Sequence, residues 1–570
     1  MRKVTDEGDS LMHDKWGGNE RMGFKTILTE EYRKQYHSDW PNKTIVDYLN
    51  EAIKNNPDKV ALIDKKSRYT FQELGKLVDR VALGLYEFGL RKGEVISFQL
   101  PNWNEFVILY LAATKIGAVS NPLIPIYRDR EIGYMVKHAE SKILVVPDEF
   151  RGFDYPEMVY RLSVQWPSLE HVFVLGNKTP SEMKSFSLLM DEPWEEKRDC
   201  AILDKVVLDP NEVNEIIFTS GTTGEPKGVM HTHNTVLGSS RALVPHLALT
   251  CDDIVFMAST FAHQTGFLYG VLLPIIIGGT AVYQDIWNPN EFVELIEKEK
   301  ITFTTAATPF LQDFIRVENM NQFDLSSLRY FSAIGAPIPR AIVKEAREKL
   351  PCKIMSGWGQ TENGLVTLTS PSDTEEKLTG TDGRAYSETI VKIVDEHGNP
   401  CPANREGSLL TKGPALFVGY LKRIEQTLSE HDGEWFITGD QAVMDEDGYI
   451  KITGRNKDII IRGGENIPVA YVENILYEHP DISIAQIVAM PDKRLQERAC
   501  AFIQMKPGTE PITLESLKVY LTEKGVAKQY WPERVEVIDD FPRTPSGKIQ
   551  KFRLRQLIEE KLNPKVQTNS

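Results

Sequence analysis

Residues 219–228 read Thr219-Ser220-Gly221-Thr222-Thr223-Gly224-Glu225-Pro226-Lys227-Gly228 and follow the apolar run Ile216-Ile217-Phe218. The apolar run predicts a buried strand, which places the polar segment in a turn at that strand's carboxyl end. Glycines let backbone N–H groups converge on an anion, and the hydroxyls and the lysine add further donors. The turn therefore has the composition of a polyphosphate-binding loop, although a plain surface turn rich in Gly and Thr would share that composition.

The same turn differs from a Walker A loop. That motif has Gly-Lys followed at once by Ser or Thr, whose hydroxyl holds magnesium. Here Pro226 precedes the lysine and Gly228 follows it. The order of the residues behind a strand favours a phosphate-binding loop of another type over a plain surface turn.

Composition sets broad limits on function. The chain has 570 residues, 41% of them hydrophobic and 26% charged, which is ordinary globular composition at a length that predicts two or more domains. The five cysteines show no C-x-x-C pattern, so neither a zinc site nor a disulfide framework is predicted. A formal net charge of −15 argues against nucleic acid as a partner, so an anionic substrate must be held by local Lys and Arg.

Targeting signals are weak. No apolar h-region follows Met1, and the apolar run 268–277 is short and is broken by Pro274. The sequence therefore predicts no secretion signal and no membrane span. Together with the cysteine usage, this predicts a cytoplasmic protein.

From about residue 44 to residue 357, helix-period segments alternate with short β-branched runs. This alternation predicts a large α/β domain of βα-layered sheets. The runs are Val60 to Ile63, Val95 to Leu100, Ile143 to Val146, Ile216 to Thr219, Ile254 to Ala258, Ile301 to Thr305 and Tyr330 to Ile334.

The pattern changes in the last third of the chain. Turn signals at 396–399 and 445–448 lie between alternating apolar residues and predict a β-rich subdomain. After Arg455 a compact α+β domain is predicted, with helices at 469–477, 514–523 and 553–561 and strands at 484–490, 499–505 and 534–538. The predicted domains are an arm (1–43, loosely attached), a large domain (44–455, with 380–455 as its β-rich subdomain) and a small domain (456–570).

Four further segments carry side chains suited to chemistry. They are Gly357-Trp358-Gly359-Gln360-Thr361-Glu362; Thr438-Gly439-Asp440; Thr453-Gly454-Arg455-Asn456-Lys457-Asp458 with the following Gly463-Gly464; and Arg543-Thr544-Pro545-Ser546-Gly547-Lys548. Taken alone, each segment can also be explained by an ordinary structural role without any function in chemistry. Trp358 could be a core aromatic, Asp440 a turn former and Lys548 a solvated turn lysine.

Together with residues 219–228, these segments resemble the adenylate-forming (AMP-binding) superfamily, in particular its acyl-CoA synthetase branch, from about Thr44 to the end of the chain. The resemblance implies an ATP-dependent carboxylate:CoA ligase, an AMP-forming acid–thiol ligase of fatty acid metabolism, with ATP, Mg²⁺ and coenzyme A as cofactors. In its first reaction a carboxylate attacks the α-phosphorus of ATP, giving acyl-AMP and pyrophosphate. In the second, the thiol of coenzyme A displaces AMP.

The resemblance also implies roles for individual residues. Thr361 would lie close to the α-phosphate, and Glu362 would hold magnesium. Lys548 would bridge the attacking carboxylate and the phosphate. Trp358 would lie against the adenine, while Asp440 and Arg455 would bind the ribose. The predicted triphosphate ligands are Thr219, Ser220, Gly221, Thr222, Thr223, Gly224 and Lys227.

A moving small domain is a further implication of the resemblance. Lys548 belongs to the small domain and the phosphate loop to the large one, so the two must close together for adenylation. The hinge would be Lys457. Its rotation would bring Gly463 and Gly464 to the site, where the absence of side chains would let pantetheine pass.

The acid pocket can be placed by the same resemblance. Its predicted residues are mostly small or apolar: Ala262, His263, Gln264, Gly266, Thr308, Ala333, Gly335 and Gly357. Amino-acid-activating relatives have an aspartate where Ala262 stands, and a buried unpaired ammonium is costly, which argues against an α-amino acid. The predicted substrate is an apolar monocarboxylic acid: medium-chain fatty, cyclohexanecarboxylic or aryl.

Alternatives remain at this point. The acyl-AMP could be passed to a stand-alone carrier protein instead of CoA, or the chain could be a non-catalytic nucleotide-binding protein, against which Lys548 and Glu362 speak. The predicted partners are the small-molecule acid, ATP and CoA, with a homodimer left open. The pair His231 and His233 could ligate metal, but a position at a helix start accounts for both.

Overall fold

A computed structural model describes residues 24–219, 225–336, 338–386, 388–455, 460–462, 465–492, 494–526, 528–544 and 548–562, with residues 461, 465, 466 and 529 described by their backbone alone. Its strands are β1 (Val60–Ile63), β2 (Arg68–Thr70), β3 (Val95–Phe98), β4 (Val119–Pro122), β5 (Ile143–Pro147), β6 (Glu149–Phe150), β7 (Phe153–Asp154), β8 (His171–Leu175), β9 (Lys184–Ser185), β10 (Val213–Thr219), β11 (Lys227–Thr232), β12 (Ile254–Met257), β13 (Thr280–Tyr283), β14 (Phe303–Ala306), β15 (Tyr330–Ala333), β16 (Lys353–Gln360), β17 (Gly364–Leu368), β18 (Arg384–Ala385), β19 (Ile390–Val394), β20 (Gly407–Lys412), β21 (Gly419–Tyr420), β22 (His431–Asp432), β23 (Trp435–Met444), β24 (Ile450–Arg455), β25 (Ile460–Arg462), β26 (Glu465–Ile467), β27 (Ile482–Asp492), β28 (Gln496–Met505) and β29 (Arg534–Val537).

The helices of the same residues are α1 (Glu30–Tyr36), α2 (Ile45–Asn55), α3 (Phe71–Glu87), α4 (Asn104–Lys115), α5 (Asp129–His138), α6 (Tyr155–Leu162), α7 (Ser187–Met190), α8 (Trp194–Lys197), α9 (Ala201–Asp204), α10 (His233–Leu247), α11 (Gln264–Gly266), α12 (Leu273–Ile277), α13 (Pro289–Glu299), α14 (Thr308–Phe314), α15 (Arg340–Lys349), α16 (Glu375–Gly380), α17 (Ile424–Ser429), α18 (Val469–Tyr477), α19 (Leu514–Glu523) and α20 (Lys551–Leu562). A π-helical segment, Phe267–Leu272, joins α11 to α12.

The large domain is built on two mostly parallel sheets. The first has the strand order β18-β17-β16-β15-β14-β12-β13-β1-β2, and the second has the order β21-β11-β10-β4-β3-β5-β8-β9. The strands predicted between residues 60 and 334 belong to these sheets, with ends that differ by a few residues. The predicted α/β class is therefore confirmed.

A layer of helices separates the two sheets. Side chains alternate across a strand, so Ile143 and Val145 of β5 point into a core that also contains Val255 and Met257 of β12 in the first sheet. Helix α4 crosses this shared core and is buried around most of its circumference, which explains its nearly continuous apolar sequence. The outer faces of the sheets pack in separate cores.

Two further sheets follow in the chain. Strands β19, β20, β22, β23 and β24 form an antiparallel sheet, as the hairpin signals predict. In the small domain, β27 and β28 form a long antiparallel pair flanked by α18 and α19 on one face and α20 on the other. Helices α18 and α19 have the predicted bounds, and α20 begins two residues before the predicted start.

The N-terminal segment corrects one expectation. Residues 24–43, the described part of the predicted loose arm, pack on the large domain with Tyr36 and Trp40 buried. The Trp40 indole Nε1 donates to the carbonyl of Pro414 at 2.7 Å, and the Ile27 amide donates to the carbonyl of Val418 at 2.9 Å. Aromatic burial outweighs the polar composition on which the expectation rested.

Among the described residues, none of the helices combines the length and apolar character needed to traverse a bilayer.

We predict that Trp40→Ala destabilises the protein by about 3 kcal/mol, because it removes a buried indole and its hydrogen bond. The melting temperature should fall clearly in a thermal unfolding experiment. Gln35→Ala, an exposed change in the same segment, is the matched control and should leave the melting temperature within about 1 °C. Equal effects of the two substitutions would contradict the packing described above.

Candidate active site

The ammonium of Lys548, from the small domain, lies in a cleft of the large domain. A Cβ placed on Gly335 would be 3.9 Å from the Lys548 Cε, and Gly335 has a φ of +77°, which glycine tolerates. Burial lowers the pKa of Lys548 to about 8. The charge of Arg455 adds to that shift, and the carboxylates of Asp440 and Glu362 oppose it. Residues distant in sequence therefore meet around one cation.

The turn that carries Lys548 is held by its own backbone. The Thr544 amide donates to the Lys548 carbonyl at 2.6 Å, and the Lys548 amide donates to the Thr544 Oγ1 at 3.0 Å. Residues 545–547, at the tip of the predicted turn, lie outside the described residues.

The Asp440 carboxylate is buried on β23, an inner strand of the β-rich sheet. Strand register places Arg455 of β24 directly opposite Asp440 of β23, and the Arg455 Nε lies 2.9 Å from the Asp440 Oδ1. Trp358 Nε1 and Gln360 Nε2 donate to the other oxygen, Oδ2, at 2.8 and 3.2 Å. Asp440 and Arg455, both predicted to bind the ribose, therefore contact each other, and their role at the ribose stays a prediction.

Trp358 lies in a small core beside the site. The residue is 8% exposed and packs with Val366, Ile393, Leu409 and Ile450. This packing agrees with the alternative of a core aromatic, while the predicted contact with adenine stays a prediction. The indole N–H holds the Asp440 carboxylate in place.

Glu362 and Lys227 meet at one tyrosine. The Tyr420 hydroxyl lies 2.9 Å from the Glu362 Oε1, and the Lys227 Nζ donates to the same hydroxyl at 2.9 Å. Lys227 pairs across the β10–β11 hairpin with Thr219, so the connection 220–226 follows the carboxyl end of β10 as predicted. The predicted phosphate ligands 220–224 lie outside the described residues.

Thr361 is fixed through its backbone. The His231 imidazole Nε2 contacts the Thr361 carbonyl at 2.8 Å, and its Nδ1 contacts the Thr235 Oγ1 at 3.1 Å. Burial lowers the pKa of His231 to about 4, so the ring is neutral at pH 7. His231 therefore orients the segment that carries Thr361 and Glu362, and a role as a metal ligand has no support in this geometry.

A small cavity of about 30 Å³ lies beside Lys548. Its lining residues are His263, Gln264, Thr265, Leu268, Tyr269, Ile334, Gly335, Gly359, Gln360, Thr361, Gly364, Leu365 and Lys548. This volume holds about one water molecule, so a carboxylic acid can enter only if side chains or the small domain move.

Three of the predicted pocket residues, His263, Gln264 and Gly335, line this cavity. The other five, Ala262, Gly266, Thr308, Ala333 and Gly357, are not among the residues that line this cavity, and their place in an acid pocket stays a prediction. Ala333 points into the outer core of the first sheet because side chains alternate along β15. At Gly266, a Cβ would lie 2.1 Å from the Thr260 carbonyl oxygen, so this glycine serves close backbone packing.

Polar groups back the cavity. Burial lowers the pKa of His263 to about 3, with the Lys548 charge adding to the shift, so its imidazole is neutral. Gln264 Nε2 donates to the Glu215 Oε2 at 3.4 Å. Burial raises the pKa of Glu215 to about 8, which makes this carboxyl mostly protonated at pH 7.

The described residues contain no group of three or more His, Cys, Asp or Glu side chains that could hold a metal ion. Magnesium is commonly bound by one or two carboxylates together with substrate phosphates. The single carboxylate of Glu362, 9% exposed at the edge of the cleft, fits that donor set.

The sequence profile described as AMP-binding enzyme matches residues 49–421, and that described as AMP-binding enzyme C-terminal domain matches residues 471–548. The chain belongs to the AMP-binding enzyme family. The resemblance drawn from the five segments is thereby confirmed.

Relatives and solved structures agree with this assignment. The chain is 37% identical over 550 residues to a medium-chain fatty-acid–CoA ligase of Escherichia coli (strain K12), covering 95% of this chain and 96% of that protein. It is 31% identical over 538 residues to a 2,3-dihydroxybenzoate-AMP ligase of Bacillus subtilis (strain 168), covering 94% and 97%. The crystal structure of an anthranilate CoA ligase in complex with anthranoyl-AMP has a TM-score of 0.83 at 25% identity, covering 92% and 99%.

Membership of the AMP-binding enzyme family makes this protein an adenylate-forming enzyme that binds ATP, and its acyl-CoA ligase relatives support an AMP-forming acid–thiol ligase. Lys457, the predicted hinge, and the pair Gly463 and Gly464 lie outside the described residues. The assignment of roles to individual residues remains a prediction.

Sequence reasoning missed several residues of this site. Tyr420 lies in no segment that suggested chemistry, and Glu215 reads as an ordinary polar residue in a strand. Leu268 and Tyr269 reach the cavity from the π-helical segment, and π-helical turns are frequent at functional sites. A glutamate inside an otherwise apolar strand was the one signal that could have been used.

We predict that Lys548 titrates near pH 8 in the ATP-free enzyme, because burial disfavours its charged form more than Asp440 and Glu362 favour it. Amine-reagent labelling of Lys548, followed by mass spectrometry across pH 6–11, should reach half its maximal rate near pH 8. Added ATP should move this midpoint upward, since phosphate charge favours the ammonium. A midpoint above pH 10 without ATP would place Lys548 in solvent rather than in the cleft.

The lowered pKa of Lys548 also makes the stability of the folded enzyme depend on pH. The unfolded chain holds the Lys548 proton up to a pH near 10.5 and the folded enzyme only up to about 8, so the unfolded state binds more protons between these values. The contribution of Lys548 to stability should therefore rise with pH across this window. Lys548→Met lacks this contribution. The difference in melting temperature between wild type and variant should therefore increase as the pH is raised from about 8 to about 10.

Proposed function

We propose that this protein is an ATP-dependent carboxylate:CoA ligase that makes an acyl-AMP and then an acyl-CoA thioester, AMP and pyrophosphate. The observation that carries the proposal is the meeting of Lys548 with Glu362, Asp440 and Arg455 beside a small cavity. A buried ammonium at such a point is suited to a reaction in which two anions, a carboxylate and a triphosphate, must approach each other.

In the proposed first reaction, a carboxylate oxygen of the acid attacks the α-phosphorus, and the bond to the bridging oxygen of pyrophosphate breaks. Lys548 offsets the negative charge of the attacking carboxylate and of the α-phosphoryl oxygens. Trp358 and Gln360 hold the Asp440 carboxylate by hydrogen bonds. In this position Asp440 would accept hydrogen bonds from the ribose hydroxyls. Positioning and charge stabilisation account for the rate, with no covalent enzyme intermediate.

Glu362 would hold Mg²⁺ together with phosphate oxygens, and the ion would supply charge neutralisation at the triphosphate. Thr219 and Lys227 would contact the same phosphates from the β10–β11 hairpin, together with residues 220–224. His231 orients the backbone that carries Thr361 and Glu362.

In the proposed second reaction, the thiol of CoA attacks the acyl carbon and AMP leaves. Lys548 lines the cavity in the present arrangement, and the small domain would have to turn, about Lys457, before CoA enters. The segment with Gly463 and Gly464 is the proposed wall of the pantetheine channel.

The proposed acid is an apolar monocarboxylic acid: medium-chain fatty, cyclohexanecarboxylic or aryl. The cavity has Leu268, Ile334 and Leu365 on its surface, and Ala262 with a neutral His263 offers no counter-ion for an α-ammonium group. The named activities of the relatives, on a medium-chain fatty acid, 2,3-dihydroxybenzoate and anthranilate, span the same range.

A second candidate is an acyl-AMP ligase that loads a stand-alone carrier protein. It is favoured by the relative named 2,3-dihydroxybenzoate-AMP ligase, whose name ends at the adenylate. The two candidates share the first reaction and differ in the acceptor.

A product assay separates these candidates. The enzyme is supplied with ATP, magnesium and CoA and with fatty acids of six to twelve carbons, cyclohexanecarboxylate, benzoate and alanine, and the products are identified by mass. We expect acyl-CoA, AMP and pyrophosphate from an apolar acid and none from alanine. Acid-dependent pyrophosphate exchange without thioester would favour the carrier-loading enzyme, and the absence of both AMP and pyrophosphate exchange with every acid would refute both candidates.

We predict that Lys548→Ala lowers the rate of acyl-AMP formation at least about a hundredfold, because the cation beside the reacting groups is lost. Thioester formation from preformed acyl-AMP and CoA should stay within about threefold of wild type, since that reaction does not require Lys548. Lys524→Ala, which removes a surface lysine of the same domain paired with Glu478, is the matched control and should leave both rates unchanged. Equal losses in both reactions would argue for a folding defect or a different role.

A further inference from the structure

Three segments of the large domain meet at the hydroxyl of Tyr420, a residue 1% exposed. The Lys227 Nζ lies at 2.9 Å, the Glu362 Oε1 at 2.9 Å and the Glu430 Oε2 at 2.6 Å from this oxygen. The Lys227 Nζ also contacts both oxygens of Glu430 at 3.2 Å. Tyr420 and Glu430 have no role in the function proposed so far.

The number of hydrogens decides how these groups pair. A phenol has one O–H hydrogen and can accept from a cation, so Tyr420 accepts from Lys227 and donates to one carboxylate at a time. Glu430 lies closer to the hydroxyl than Glu362 does, and its Oε1 also accepts from Gln426 Nε2 at 3.0 Å. Glu430 thus accepts hydrogen bonds from Tyr420, Gln426 and Lys227.

Lys227 is consequently occupied before ATP arrives. Its ammonium has three N–H donors, and it donates to Tyr420 and Glu430. The side chains of Lys227 and Glu430 are 18% and 29% exposed. A charge pair that is shielded to this degree is screened less than a surface pair. For the ammonium to turn to a triphosphate bound at residues 219–228, it must leave Glu430 or share its charge between the two anions.

We propose that Tyr420 and Glu430 form a latch on Lys227, meaning that they hold its ammonium in the ATP-free enzyme in competition with the triphosphate. The inference rests on the proposed function, in which Lys227 is a ligand of ATP. Tyr420 and Glu430 are then positioning residues that set the affinity for ATP, and release of Lys227 leaves the Tyr420 hydroxyl free to pair with Glu430 alone.

The first test is Glu430→Gln, which removes the charge and keeps the shape. With less competition for Lys227, ATP with magnesium should bind more tightly, by about fivefold, in a calorimetric titration without acid or CoA. Glu434→Gln is the matched control: it removes one negative charge from the adjoining turn, where Glu434 pairs with Lys412 at 3.3 Å. The control should leave the dissociation constant within about twofold of wild type.

The second test needs no ATP. Lys227→Met should lower the melting temperature of the ligand-free enzyme, and it should do so less in the Glu430→Gln background, because the charge partner is already gone. Tyr420→Phe keeps the ring packed against Phe417, whose centroid is 4.7 Å away, and should also reduce the effect of Lys227→Met.

Equal effects of Lys227→Met in both backgrounds would overturn the latch, as would an ATP affinity of Glu430→Gln no greater than that of wild type. Coupling in the ligand-free enzyme without any gain in ATP affinity would overturn it too, because the pair would not compete with ATP. If Glu430→Gln binds ATP more tightly than wild type as expected, but wild type forms no AMP with any acid, the proposed function fails and the latch stands. If acyl-AMP forms normally and the affinities are equal, the latch fails and the proposed function stands.

Discussion

The burial of one ammonium group, that of Lys548, connects the rest of this structure. The group comes from the small domain and lies among Glu362, Asp440 and Arg455 of the large domain. Burial of a cation is costly unless anions are near, and the depressed pKa of Lys548 shows that two carboxylates beside a guanidinium do not fully offset that cost. The arrangement favours an incoming anion.

Strand ends and strand register bring the other groups to this point. Asp440 and Arg455 face each other because β23 and β24 pair in one register. Thr361 and Glu362 follow the end of β16, and Lys227 of β11 pairs with Thr219 at the end of β10, so two different sheets bring polar residues to the Tyr420 hydroxyl. His231, Trp358 and Tyr420 are buried residues that hold these groups by hydrogen bonds. The site is therefore supported by the packed core rather than by its loops alone.

The cavity beside Lys548 has a mixed character. Leu268, Ile334 and Leu365 make it apolar, while the amide of Gln264 and the neutral carboxyl of Glu215 form a polar wall behind it. Among the described residues that line the cavity, Lys548 is the one with a positive charge.

The sequence by itself determined the α/β class, the hairpin-rich region, the small α+β domain and the five segments that carry the chemistry, because periodicity and turn composition are local properties of the chain. The helices α18 and α19 have the bounds that their apolar periodicity predicts. Tertiary structure alone decided which of these residues touch. Packing buried Trp358 as a core aromatic, turned Ala333 away from the cavity, folded residues 24–43 onto the large domain and brought Tyr420 and Glu430 to Lys227. These outcomes depend on contacts between residues hundreds of positions apart, which no local pattern encodes.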